Sequence, residues 1–241
     1  MTIFDYIKNF NLTNDSVIFE IGCHHGYDTD RILEICPDSK VYIFEPDPRN
    51  ISVIKKRKLN QKVKLIEACI SNKNGKESFN LSSGLPPVLA TMDEQTKDLP
   101  DHIEIHPDHQ ELRDFCQNGE WSASSSIKKP TDHLEVTPWC EFNKTIEVDS
   151  VTLDSFFEKE ELKKIDFVWM DVQGAEDLVF EGAKHLLTNN KIDYIYTEYS
   201  DRELYENQMN LKQIMKILDN YEIIDFFNES GGTDVLLKNK K

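Results

Sequence analysis

From Val17 onward the chain alternates short apolar runs with helical patterns, and that alternation restricts the folds open to it. Val17–Ile21, Lys40–Phe44, Val63–Ala68, Ile165–Met170 and Ile192–Thr197 read as strands. Asp28–Ile35, Arg49–Leu59, about Ala175 to Leu187, and Leu211–Leu218 carry helical spacing. Strands that alternate with helices build a parallel, doubly wound sheet. Tyr221–Phe227 and Asp234–Leu237 are joined only by the polar NESGG, too short for a parallel crossover, so the closing pair is antiparallel. The prediction is an α/β, Rossmann-like sheet of seven strands in a single domain over residues 1–241.

One interval, from about residue 82 to 143, does not follow the alternation. It holds Pro86-Pro87 and the histidine-rich HIEIHPDHQ at 102–110. Lying between the third and fourth strands, it reads as an insertion at the carboxyl end of the sheet, where ligands bind in such folds. His102, His106 and His109 have i, i+4, i+7 spacing, but Pro107 interrupts any helix that would align them. They stand as a solvated loop, as a metal cluster, or as the source of a base folded over the site.

Charge narrows the partners. With 28 basic and 44 acidic residues the net charge is −16, which repels phosphate backbones and anionic membranes but leaves a neutral or sugar-like acceptor open. Five scattered cysteines without a C-x-x-C pair fit reduced thiols in a cytoplasmic compartment. No run approaches the ~18 apolar residues of a membrane span, and the N-terminus lacks a basic start followed by an apolar block.

Between the first strand and its helix stands EIGCHHG (20–26). Gly22 permits a sharp turn, and Gly26 is expected to let the backbone come close to a ligand and to the helix. The pattern is G-x-x-x-G, so the G-x-G-x-x-G dinucleotide fingerprint is absent. The second strand ends in FEPDP (44–48), whose Glu45 can accept hydrogen bonds from both hydroxyls of a ribose. Together these features favour an adenosine-containing cofactor, and S-adenosyl-L-methionine over NAD. A nicotinamide-dependent oxidoreductase and a cofactor-binding module without turnover are the alternatives.

The stretch FVWMDVQGAEDLVF (167–180) starts as a buried strand and then turns polar at Asp171, Gln173, Gly174 and Glu176. Asp171 ends the fourth strand and Glu198 ends the fifth. Neighbouring strands lie ~4.8 Å apart, so the two carboxylates can meet. They can hold a divalent metal, or repel until one becomes a base, while Asp171 can also merely cap the next helix.

Taken together, EIGCHHG, FEPDP, SASSS (122–126), VTLDSFF (151–157), IDFVWMDVQGAEDLVFEGAKHLL (165–187) and Thr197-Glu198 resemble the FkbM family of S-adenosylmethionine-dependent methyltransferases. The resemblance implies a class I methyltransferase sheet of order 3-2-1-4-5-7-6 with strand 7 antiparallel. It implies methyl transfer to a hydroxyl of a sugar, glycan or small-molecule metabolite. The candidate cofactor residues are Glu20, Gly22, Cys23, His24, Gly26, Glu45, Pro46, Ala68, Cys69 and Asp171. Ser125, Ser126, Gln173 and Glu176 are the candidate acceptor residues, and Asp171 and Glu198 the candidate catalytic pair. Cys23-His24-His25 depart from the small or amide residues usual in the family's first motif.

Overall fold

The computed structural model describes residues 1–10, 12–13, 15–57, 59–87, 116, 120–227 and 233–241. Its centre is a seven-stranded sheet built from β1 (Val17–Ile21), β2 (Lys40–Phe44), β3 (Val63–Ile66), β7 (Ile165–Met170), β8 (Ile192–Tyr199), β9 (Tyr221–Phe227) and β10 (Thr233–Asn239). In chain-order labels it runs β3-β2-β1-β7-β8-β10-β9. Counting this sheet's strands alone gives 3-2-1-4-5-7-6. The labels shift because β4 (Cys69–Ile70), β5 (Gly75–Ser83) and β6 (Glu141–Val151) form a second sheet that the sequence reading does not contain. The strand β10 runs antiparallel to both neighbours, and the turn residues 228–232 lie outside the described residues.

The parallel strands are apolar because both faces are covered. On one face, Phe19, Phe44, Val168 and Met170 pack with Phe156, Val179, Leu186 and Ile214. Those partners come from α5 (Leu153–Lys159), α6 (Glu176–Gly182), α7 (Lys184–Thr188) and α8 (Leu211–Ile217). Ile18, Ile43 and Phe167 face the other way, onto Ile3, Ile7, Ile32 and Ile54. These belong to α1 (Ile3–Ile7), α2 (Tyr27–Ile35) and α3 (Pro48–Lys56). Successive strand residues thus enter opposite cores, which fixes the register against a one-residue slip.

The helix expected from about Ala175 to Leu187 is two. Gly182 passes so close to the Ser71 carbonyl that a Cβ there would lie 2.1 Å from the oxygen, and the chain kinks at Ala183 before α7 begins. Of the interval 82–143, the described part adds α4 (His133–Val136) and, over residues 120–128, a segment laid across the carboxyl edge of the main sheet. In the second sheet β6 lies between β4 and β5 and pairs antiparallel with β5. The histidines His102, His106 and His109 lie outside the described residues. Among those described, no helix is long and apolar enough to cross a membrane.

Candidate active site

Register assembles the site. Ile21 of β1 pairs with Phe44 of β2 and with Met170 of β7, while Met170 pairs with Thr197 of β8. The next residue on each strand therefore stands in one row: Glu45, Gly22, Asp171 and Glu198. Main-chain bonds lock it, with Gly22 N and Cys23 N donating to Phe44 O at 3.0 and 3.2 Å, and Asp171 N donating to Ile21 O at 2.9 Å.

The two glycines of the first motif are held by different constraints. Gly22 has φ +83°, and a Cβ there would lie 1.8 Å from the Asp171 carbonyl oxygen, so it is Gly22 that allows a close backbone approach. Gly26 (φ +73°) caps α2, and a Cβ on it would be in ordinary contact with Thr29 Oγ1 at 3.6 Å and Arg57 Nη1 at 3.7 Å.

Over this row opens a cleft of about 950 Å³ counted out to its mouth. Its walls contain Glu20, Gly22, Cys23, His24, Glu45, Pro46, Cys69 and Asp171 of the expected cofactor set, with Ser125 and Gln173 of the acceptor set. Gly26, Ala68, Ser126, Glu176 and Glu198 stand outside those walls. Ser126 is turned inward, donating its hydroxyl to Gln173 O at 2.8 Å, and is only 1% exposed. The sequence reading did not single out Asn50, Ser122, Phe79 and Trp169, which also line the cleft. Asn50 lies just past the FEPDP motif in the first turn of α3, the one signal that could have found it.

Glu45 is held from several sides. Its carboxylate accepts from His24 N at 2.8 Å, Asp47 N at 2.8 Å and Asn50 Nδ2 at 3.3 Å. Burial nevertheless pushes its pKa up to about 8. Ser122 donates to Asn50 Oδ1 at 2.8 Å and also meets His24 Nε2 at 2.8 Å, tying the segment 120–128 to the cofactor loop. Burial, with His25 and Arg49 nearby, keeps the His24 imidazole well below its ordinary pKa. Glu20 is buried and accepts the Thr29 hydroxyl, and burial raises it well above the ordinary value.

Asp171 points into the open cleft, so it is water-accessible there although protein surrounds it otherwise, and that surrounding protein raises its pKa. Its Oδ1 accepts from Gln173 Nε2 at 2.7 Å. Glu198 is raised well above the usual carboxylate range by burial, then by Asp171, Glu176 and Asp234. Glu176 is 1% exposed, its Oε1 meets no hydrogen-bond partner among the described residues, and burial with Asp171 beside it lifts its pKa to about 7.

That shift has a stability consequence. An unfolded Glu176 ionises near 4.5, while the folded one keeps its proton to about 7. Its stabilising contribution is therefore complete below 4.5 and is lost as pH rises to about 7, by on the order of 3 kcal/mol. Glu176→Gln is expected to flatten the fall of stability across this window and to be the more stable protein at pH 8. Urea unfolding midpoints at pH 5 to 8 check this; parallel curves for the two proteins would refute it.

Among the described residues no group of three or more His, Cys, Asp or Glu side chains is arranged to hold a metal ion. Asp171 and Glu198 are neighbours in register without such a third ligand. All five cysteines are free, and burial raises the thiols of Cys69, Cys116 and Cys140 to about 12, 11 and 11, far from thiolate chemistry at neutral pH.

The methyltransferase FkbM domain matches residues 20–224. The 2-O-methyltransferase NoeI of Sinorhizobium fredii (strain NBRC 101917 / NGR234) is 36% identical over 228 residues, covering 94% of this chain and 81% of that protein. Among solved structures, magnesium protoporphyrin IX methyltransferase (ChlM) from Synechocystis PCC 6803 with bound SAM aligns at a TM-score of 0.48 and 9% identity, over 98% of this chain and 76% of that one. Fibrillarin from Aeropyrum pernix, in complex with natively bound S-adenosyl-L-methionine, aligns at 0.44 and 13%, over 98% and 73%. The chain belongs to the FkbM family of methyltransferases.

Proposed function

We propose that this S-adenosylmethionine-dependent O-methyltransferase methylates a hydroxyl of a sugar, glycan or small-molecule metabolite, with Asp171 as the base. What carries the reading is the level row at the carboxyl edge, which sets Asp171 beside Gly22 and Glu45 in one cleft wall. The donor set fits the cofactor. Glu45 offers acceptors to ribose hydroxyls, and Phe44, Pro46, Ile70 and Phe79 offer an apolar wall to a base. When bound, S-adenosyl-L-methionine supplies an electrophilic methyl group. Asp171, with Oδ1 engaged by Gln173, would take the proton of an acceptor hydroxyl on Oδ2. A base so placed contributes about 10²–10⁴-fold. The segment 120–128, with Ser122, Ala123, Ser125 and Ile127 in the wall, shapes the acceptor side.

The relative's name supports an oxygen acceptor, and the net charge of −16 weighs against a nucleic-acid one. Family membership displaces the nicotinamide alternative. A divalent metal on Asp171 and Glu198 is disfavoured as the reading because no third ligand accompanies them among the described residues. The test is transfer of a labelled methyl group from S-adenosylmethionine to a panel of methyl glycosides and simple hydroxylated metabolites, alongside calorimetry with S-adenosylhomocysteine. Expected are saturable binding and a methyl ether product from at least one glycoside. Absence of binding would overturn the cofactor assignment, and label on nitrogen or sulfur the oxygen one.

A further inference from the structure

Behind Asp171 stands a chain of hydrogen bonds that reaches a side chain outside the cleft. Gln173 Nε2 donates to Asp171 Oδ1 at 2.7 Å, and the other end of the same amide, Oε1, accepts from the Tyr205 hydroxyl at 3.0 Å. The Tyr205 hydroxyl also reaches Ser124 O at 2.8 Å. Tyr205 is 1% exposed and absent from the cleft wall. Its ring sits on Gly174, where a Cβ would lie 2.7 Å from Tyr205 Cβ. The loop that carries it is fastened to the chain just beyond the segment over the cleft, with Glu206 N donating to Lys129 O and Thr131 N to Leu204 O, both at 2.8 Å. An amide has two distinguishable ends. A carboxylate demands the N–H end, which leaves the C=O end to the phenol, whose single proton is shared between Gln173 Oε1 and Ser124 O. The two partners therefore select one orientation of Gln173 between them.

We propose that Tyr205 is a positioning residue for methyl transfer: through the Gln173 amide it ties back Asp171 Oδ1 and leaves Oδ2 for the acceptor hydroxyl. The inference rests on Asp171 being the base. Without the phenol hydroxyl the amide can turn, and the carboxylate loses its fixed aim. Small losses of alignment cost up to about 10²-fold in rate.

The experiment compares Tyr205→Phe, Gln173→Met, their double variant and Asp171→Asn, using labelled S-adenosylmethionine and the best acceptor of the glycoside panel. Phenylalanine keeps the ring on Gly174, and methionine keeps the length of Gln173. Expected is a fall in kcat of about 10- to 100-fold for either single variant, with the S-adenosylhomocysteine Kd unchanged and the double variant no slower than Gln173→Met. Hydrogen exchange of the Gln173 side-chain amide in the S-adenosylhomocysteine complex supplies a reading that needs no acceptor, and Tyr205→Phe is expected to speed it. An inactive Asp171→Asn beside a fully active Tyr205→Phe, multiplicative losses in the double variant, or unchanged exchange would overturn the positioning role alone. An active Asp171→Asn would overturn the base assignment and this inference with it.

Discussion

Asp171→Asn is expected to lower kcat by about 10²–10⁴-fold while the Kd for S-adenosylhomocysteine stays within about threefold. Asparagine is the informative replacement because its Oδ1 still accepts the bond that Gln173 Nε2 makes at 2.7 Å. The wall is thereby preserved, and only the capacity to take a proton is lost. Alanine would instead strand the Gln173 amide and mix a structural loss with a chemical one. The split between kcat and Kd separates two roles that one carboxylate in this wall can play. If the affinity for S-adenosylhomocysteine falls together with kcat, Asp171 is a cofactor ligand. If neither changes, it has no part in the reaction, and His24 becomes the next candidate base, since its suppressed pKa keeps it neutral and it lines the same cleft.

The position of Asp171 could be read from the sequence because the break in pattern is local. Phe167, Val168 and Met170 are almost fully buried, so the strand they form reads as an apolar run, and a carboxylate immediately after it must lie at the sheet edge. Glu45 after β2 is legible for the same reason. The strands of the second sheet were not, because one face of β5 and much of β6 meets solvent and their polar residues mask the alternation of Phe79 and Leu81 or Ile146 and Val148. The serine cluster shows a further limit. Ser122 and Ser125 face the cleft while Ser124 and Ser126 are buried in contacts with Trp121 and Gln173, and four similar residues give no sign of which is which. Tyr205 left no signal at all. It lies in a polar loop, SDRELYENQMN, and matters through a partner 32 positions away.

Gly22→Ala is expected to be the most destructive single substitution in the cofactor loop, costing more than about 4 kcal/mol, or a drop in Tm of about 8–16 °C. Two costs add. An L-residue at φ +83° pays about 1–2 kcal/mol for the left-handed conformation. A Cβ at 1.8 Å from the Asp171 carbonyl oxygen must then push apart the edges of β1 and β7, breaking the bond from Asp171 N to Ile21 O. Gly26→Ala in the same loop pays only the first cost, because its nearest obstacle is the Thr29 hydroxyl at 3.6 Å. The pair is therefore a measurement of what holds the row together. Thermal unfolding should show Gly26→Ala a few degrees below the parent and still binding S-adenosylhomocysteine, with Gly22→Ala far lower and without binding. Equal losses would mean that backbone conformation alone governs the loop. A stable Gly22→Ala that binds the product but fails to transfer methyl would place the whole effect at Asp171, because displacing that residue along the strand moves the base without unfolding the sheet that carries it.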